Sequence, residues 1–393
     1  MFRRIIFWIH LCFGLATGIV IAVMSATGIA IAFEQEILDW VDREAAASSY
    51  KEGQSPYQLA ELREILKAER PAFHPTAVHL SRDPGKAYRF MAGRSESLYV
   101  NPYSGRISEP QSGKAHDILH TLEDWHRWLG AGDHNRGAGR LVTGISNLAF
   151  LGLCLTGLYL WFPRRWSRAV LRRSLWFVRT RRSKARDFNW HNVFGFWSLP
   201  VLLIVIGTGV VISFDWAHRL VFYLSGEEPP KYRDFRMMMV RPPELPKHNA
   251  PTLLLEPDQV LARVKAGHPD WEAILFNFPG EQAAPLDVTV FEPAPFATAG
   301  RVMLHLDPVS GEELQSVSFS DRSRGIRARV WIRFLHTGEA FGLNGKILAS
   351  LASAAALVLV YTGFALAWRR LVPGSKAVGR DRATTPPEAA HRD

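Results

Sequence analysis

Trp8-Ile9-His10-Leu11-Cys12-Phe13-Gly14 returns in altered form as Trp190-His191-Asn192-Val193-Phe194-Gly195, and the repeat orders everything between the two copies. In each copy a glycine follows the histidine by four residues and Thr-Gly follows it by seventeen, so H-x3-G-x12-T-G occurs twice, ending at Thr27-Gly28 and Thr208-Gly209. Each histidine is read at the start of an apolar helix. Four residues is about one helical turn, which puts Gly14 and Gly195 on the histidine faces and leaves the backbone there open to a flat group. That is a seat suited to a porphyrin.

Hydrophobic residues make up 47% of the 393-residue chain and are gathered into blocks at 5–33, 139–163, 192–214 and 346–368. Each block reaches the ~20 apolar residues that a spanning helix needs. The first is too long for the ~7–15-residue apolar run of a cleavable signal and carries a histidine, so it is read as a retained helix. The net charge of +10 is not spread over a soluble face: ten Lys/Arg and no acidic residue lie between Arg164 and Arg186, Arg3-Arg4 precede the first span, and Arg369-Arg370 follow the fourth. With four crossings all three clusters fall on one side. The positive-inside rule makes that side the cytoplasm, holds both chain ends there, and assigns the basic residues to membrane lipid headgroups rather than nucleic acid. Cys12 and Cys154 both lie in apolar spans and form neither a disulfide framework nor a zinc site. No C-x-x-C-H occurs, so a haem here is held by axial ligands without covalent attachment.

The expected architecture is an α-helical integral membrane protein, four core transmembrane helices from a tandem duplication with two small α+β lobes. Its segments are helix 1 (1–33), lobe 1 (34–114), a histidine-bearing helix with transmembrane helix 2 (115–163), a basic loop (164–190), helix 3 (191–214), lobe 2 (215–324), a second histidine-bearing helix with helix 4 (325–370), and a disordered cytoplasmic tail (371–393). Lobe 1 reads as a helix at 55–70, with Leu59, Leu62, Ile65 and Leu66 on one stripe, then strands near 76–81, 87–92 and 97–101. Lobe 2 repeats the order: a helix at 256–267, then strands near 272–278, 286–291 and 301–306. Both close on the same turn, Asn101-Pro102-Tyr103-Ser104-Gly105 and Asp307-Pro308-Val309-Ser310-Gly311. Spans two and four also end alike, Thr156-Gly157 leading to Trp161 and Thr362-Gly363 leading to Trp368.

An ionisable residue inside a span is a functional hypothesis by default. His10 and His191, at matched positions of two like-oriented repeats, are expected to share one haem iron in the cytoplasmic leaflet, and His126 with His336 a second on the lobe side. His120 and His134 are alternatives to His126, because the distance to Thr-Gly differs between the halves. His74, His79, His248, His268 and His305 are read as surface or turn residues of the lobes. Gly14 and Gly18 also form a G-x-x-x-G packing motif, and Trp8, Trp161, Trp190 and Trp368 an interfacial aromatic belt.

In this order of motifs, from His10 to Arg370, the chain resembles the PepSY-associated transmembrane proteins, specifically the iron-regulated group of ferric-siderophore reductases of the FoxB type. The resemblance implies a bacterial inner-membrane oxidoreductase with two b-type haems, His10, His191, His126 and His336 as axial ligands, periplasmic lobes, and electrons delivered to a ferric siderophore so that iron is released for uptake. No dinucleotide-binding stretch is present and the cytoplasmic loop is too short for a nucleotide domain, so the donor is a quinol, a flavin or a separate reductase. The competing reading is a non-catalytic membrane protein whose lobes bind an envelope peptide, a protease or another partner. Four spans without an acidic residue in the apolar middle disfavour a transporter.

Overall fold

The computed structural model describes residues 1–93, 96–163, 167–231, 242–246, 255–279, 284–296 and 298–372. The tail expected to be disordered from 371 therefore lies, beyond Val372, outside the described residues, as do Arg164, Arg165 and His248. The chain divides into two compact units. One gathers Met1–Ile29, Glu123–Ser213 and the chain from Leu348; the other gathers Ala30–Leu122 and Phe214–Ile347.

The helical unit is built on α1 (Phe2–Ile31), α5 (Arg136–Trp161), α7 (Ser183–Ser213) and α11 (Gly342–Leu371). All four are long and apolar enough to cross a membrane, and no more than 28% of the residues in their most apolar windows are buried within the protein. Leu141, Ile145, Leu148, Leu155, Ile204, Leu348 and Leu351 stay exposed along them. An apolar surface of that extent is stable only against lipid, so this is a membrane protein. The helices begin earlier than the apolar blocks. His10 and His191 are each the ninth residue of their helix, two turns inside rather than at the start as expected from hydropathy. Charged residues such as Arg3, Arg4, Lys184 and Arg186 extend the helices because an exposed helical turn tolerates them at little cost. For the same reason the basic loop is shorter than 164–190: Ser167 caps α6 (Arg168–Leu175), its hydroxyl accepting from Val170 N at 3.3 Å, and α7 starts at Ser183.

The other unit departs from the expected pair of separate lobes. Its eight strands form one antiparallel sheet in the order β4-β3-β2-β1-β5-β6-β7-β8: β1 (Ala77–Ser81), β2 (Tyr88–Ala92), β3 (Glu96–Val100), β4 (Ile107–Ser108), β5 (Ala273–Asn277), β6 (Leu286–Phe291), β7 (Arg301–Leu306) and β8 (Glu313–Val317). Strands β1 and β5 join the halves, with His79 opposite Leu275 at the middle of both. Joining them hides two strand edges that separate lobes would leave exposed. Helices α3 (Leu59–Glu69) and α9 (Pro257–Gly267) cover one face, burying Leu62, Leu66, Val260 and Val264 on Val78, Phe90, Ile274, Phe276 and Val288. Asp258 ties them together, accepting from Leu59 N at 2.9 Å and Ala60 N at 3.3 Å at the start of α3.

The halves match turn for turn. Asn101 Oδ1 accepts from Tyr103 N and Asp307 Oδ1 from Val309 N, and Gly105 and Gly311 follow with φ of +71° and +69°. Only glycine adopts that conformation at little cost, which is why the motif keeps its last residue. Hydropathy did not reveal the short helices directly after spans one and three, α2 (Glu34–Asp42) and α8 (Asp215–Leu224), or the edge strands β4 and β8. The first two are short and the strands lack a clear alternation. Two further helices, α4 (Gly113–Trp128) and α10 (Arg324–Thr337), end in left-handed glycine turns at Gly130 and Gly338.

Three lobe histidines are less superficial than expected. His305 is 3% exposed on β7 with Nδ1 2.6 Å from Asp287 Oδ1, and His268 meets Glu292 at 2.9 Å. His79 is in the middle of β1, and burial holds its imidazole below the usual pKa, with Arg89 and Lys86 adding to the effect. His79 and His305 lie on the sheet, where a polar side chain is covered and must find a partner, while His268 caps the end of α9 beside Glu292.

Candidate functional site

The helical unit brings the rings of His10 of α1 and His191 of α7 together. Their ring centres stand 6.3 Å apart with planes at 85°. Two imidazoles gripping one metal from opposite sides, at about 2.0 Å per metal–nitrogen bond and about 1.1 Å from ring centre to nitrogen, stand about 6.2 Å apart. The spacing therefore fits a shared metal.

Both rings are held the same way from a neighbouring span. His10 Nδ1 lies 2.9 Å from Thr156 Oγ1 on α5, and His191 Nδ1 lies 2.9 Å from Thr362 Oγ1 on α11. Each threonine is followed by a glycine at the side of the ring. A Cβ on Gly157 would stand 3.3 Å from His10 Cε1, and one on Gly363 3.7 Å from His191 Cε1. His126, near the end of α4, repeats the arrangement on α1: its Nδ1 lies 3.2 Å from Thr27 Oγ1 and 2.9 Å from Met24 O, and a Cβ on Gly28 would reach its Cε1 at 3.1 Å. The sequence shows Thr-Gly as a companion of the histidine on its own helix. The fold shows instead that each of these three pairs seats a histidine from another helix.

The seats on α1 also set a depth. His10 and Thr27 are seventeen residues apart, about 25 Å along a helix, so the His10 ring and the His126 ring lie toward opposite ends of that span.

The glycines of the G-x-x-x-G motif divide by function. A Cβ on Gly18 would come 2.7 Å from Phe364 Cε2, so Gly18 leaves room for the Phe364 ring of α11 against α1. Gly14 and Gly195 meet only Leu153 and Leu359, at 3.9 and 3.6 Å, an ordinary contact that a methyl group would make. Packing does not require them, which leaves their bare face, one turn from each histidine, for a flat group.

These residues fit haem. Among the described residues no three His, Cys, Asp or Glu side chains gather as a metal cage. Two imidazoles complete a coordination sphere when a macrocycle supplies the remaining donors. His120 is exposed on α4 and stacks on His116 with ring centres 6.3 Å apart, and His134 is exposed in the short turn Asp133–Asn135. Neither has the Thr-Gly seat of His126. His336 is the second residue before Gly338, whereas His126 is the fourth before Gly130, so the two helices correspond more closely than their histidines do.

The basic ends of the spans carry a feature the sequence did not expose. Asp187, fully buried one turn before His191, accepts from Arg186 at 2.9 Å and from Arg369 of α11 at 2.6 Å. The carboxylate ties α7 to α11 at a second level beside the His191–Thr362 contact. In the other half the corresponding α1–α5 tie is made by Arg3, which donates to Leu160 O at 2.5 Å and Phe162 O at 3.1 Å.

A sequence profile of the PepSY-associated TM region matches residues 7–370, nearly the whole chain, and the protein belongs to that family. No curated protein matches it.

Proposed function

We propose that this member of the PepSY-associated transmembrane family is a di-haem b-type cytochrome of the bacterial inner membrane that passes electrons across the bilayer to a ferric siderophore. The observation that carries the reading is the His10–His191 pair, 6.3 Å between ring centres inside a bundle of four apolar helices. When bound, haem b would supply a one-electron Fe(III)/Fe(II) couple, and two imidazoles on its iron would favour electron transfer over oxygen binding. His10 and His191 would hold the first group, with Gly14 and Gly195 leaving room beside them. His126, seated at the other end of α1, and His336 are the proposed ligands of the second, the latter from the sequence repeat.

The interior of the bundle excludes water and lowers the local dielectric: Cys154, Leu202, Ile206, Ala352 and Ala356 bury together across α5, α7 and α11. By the positive-inside rule, the basic clusters support a reading with both chain ends in the cytoplasm and the strand-bearing segments in the periplasm. A quinol, a reduced flavin or a separate reductase gives up electrons at the cytoplasmic face, and each electron converts one chelated Fe(III) to Fe(II). The product ion is softer and less charged, so hard oxygen donors hold it less tightly and iron leaves an intact siderophore. The identity of this acceptor rests on the family resemblance.

A haem-to-protein ratio with a reduced-minus-oxidised spectrum tests the reading. Two b-type haems per chain are expected, and reoxidation of the reduced protein on addition of a ferric siderophore. A colourless protein would overturn the cytochrome, and spectra unchanged over many minutes with the siderophore would overturn the reductase.

A further inference from the structure

The threonines of the Thr-Gly pairs have one proton each, and its position decides the state of the histidines. Thr156 Oγ1 donates to Gly152 O at 2.6 Å, Thr362 Oγ1 to Val358 O at 2.7 Å, and Thr27 Oγ1 to Val23 O at 2.7 Å, each one turn back on its own helix. A hydroxyl with its only proton committed to a carbonyl has lone pairs alone to offer a neighbour. The ring nitrogen 2.9 Å from Thr156 and the one 2.9 Å from Thr362 must then be N–H donors. At His126 the same conclusion follows twice, since Met24 O is an acceptor only and lies 2.9 Å from Nδ1. In a neutral imidazole a proton on Nδ1 leaves the lone pair on Nε2.

From this we infer that Thr156, Thr362 and Thr27 are positioning residues that lock His10, His191 and His126 in the Nδ1–H tautomer, present Nε2 to iron, and lower the reduction potential of the bound group. The inference rests on the haem reading above. A hydrogen bond from the far nitrogen makes the ring a more basic ligand, and a more basic ligand favours Fe(III) over Fe(II). The glycines after Thr156 and Thr27 belong to the same device, since a Cβ there would stand 3.3 and 3.1 Å from the ring edge that the threonine orients, whereas at Gly363 the 3.7 Å approach to His191 is an ordinary contact. At all three positions the hydroxyl can back-bond to its helix and still accept, and at Thr156-Gly157 and Thr27-Gly28 the missing Cβ also lets another helix bring its histidine in.

The test compares Thr362→Val, which keeps the shape and removes the acceptor, with Thr362→Ser, which restores the hydroxyl; Thr156→Val and Thr156→Ser repeat it at the other ring. Redox titration of the purified full-length protein is read together with haem stoichiometry. The valine variants are expected to move one of the two midpoint potentials upward by roughly tenfold in the one-electron equilibrium, ~59 mV, with the serine variants within a third of that of wild type. Valine variants that lose haem while the serine variants keep it would support the same role. Valine variants with wild-type potentials and full haem, or serine variants as impaired as valine, would overturn the inference while leaving the cytochrome in place. A colourless wild-type protein would instead remove the reading beneath it.

Discussion

Replacing His191 by alanine separates the paired-imidazole arrangement from ordinary helix packing. The change removes one of two rings whose centres lie 6.3 Å apart, so one group loses half of its axial ligation while the seat of His126 on Thr27, about 25 Å away along α1, is untouched. The expected product therefore binds about one haem per chain instead of two, or keeps the second in a five-coordinate, high-spin form with a shifted Soret band. The cost to the fold is the His191–Thr362 hydrogen bond and a half-buried ring, about 1–3 kcal/mol, which a helical unit of this size survives. Free imidazole at millimolar concentration should enter the vacated space and return the low-spin spectrum. Pyridine haemochrome analysis against protein concentration gives the ratio. His134→Ala, an exposed side chain without a Thr-Gly seat, is the control and should change nothing. Two haems with an unaltered α-band in His191→Ala would refute the ligand assignment.

Gly139→Ala should be severely destabilising, because the new Cβ would stand 2.2 Å from the carbonyl oxygen of Trp128, and backbone cannot retreat as a side chain can; Gly345→Ala meets Gly338 O at 2.1 Å and should behave alike. Thermal unfolding in detergent is expected to show at least ~2 kcal/mol lost in each, whereas Gly14→Ala should be close to neutral for stability. Asp187→Asn leaves two guanidiniums around a buried amide and should cost about 1–3 kcal/mol, part of it recovered in Asp187→Asn/Arg369→Gln, as a double-mutant cycle would show. In the sheet unit, burial pushes the phenol of Tyr99, which donates to Asp42 Oδ2 at 3.2 Å, up to about 12. A raised folded pKa favours the neutral form, so its contribution is fully present below pH ~10 and is lost as pH rises toward 12; Tyr99→Phe should flatten the stability curve across that window.

Periodicity and composition determined much of this protein without any coordinates. Runs of twenty or more apolar residues must span or aggregate, charge beside them orients them, and alternation in 76–81 or 272–278 yields strands whatever surrounds them. The histidines stood out for the same local reason, since an imidazole within an apolar run is costly and calls for a partner. Helix ends were less legible: Arg3-Arg4 and Ser183–Asn189 carry no hydrophobic signal, yet they continue the helices and carry His10 and His191 two turns inward. Short helices α2 and α8 were invisible because their length lies below what a 3.6-residue period can reveal.

Only the tertiary structure decided which residues meet. That β1 pairs with β5 and fuses two lobes into one sheet depends on an edge finding an edge across nearly two hundred residues, which no local pattern encodes. The partner of each histidine is equally non-local. His10 is held by Thr156 and His191 by Thr362, each from a different helix, although the sequence offers Thr27 and Thr208 on the same helix as each histidine. A motif can say that a ring needs an acceptor and a bare neighbour. Which helix supplies them is fixed by how the spans pack, because hydrogen bonds in an apolar interior form only where close packing brings donor and acceptor within about 3 Å.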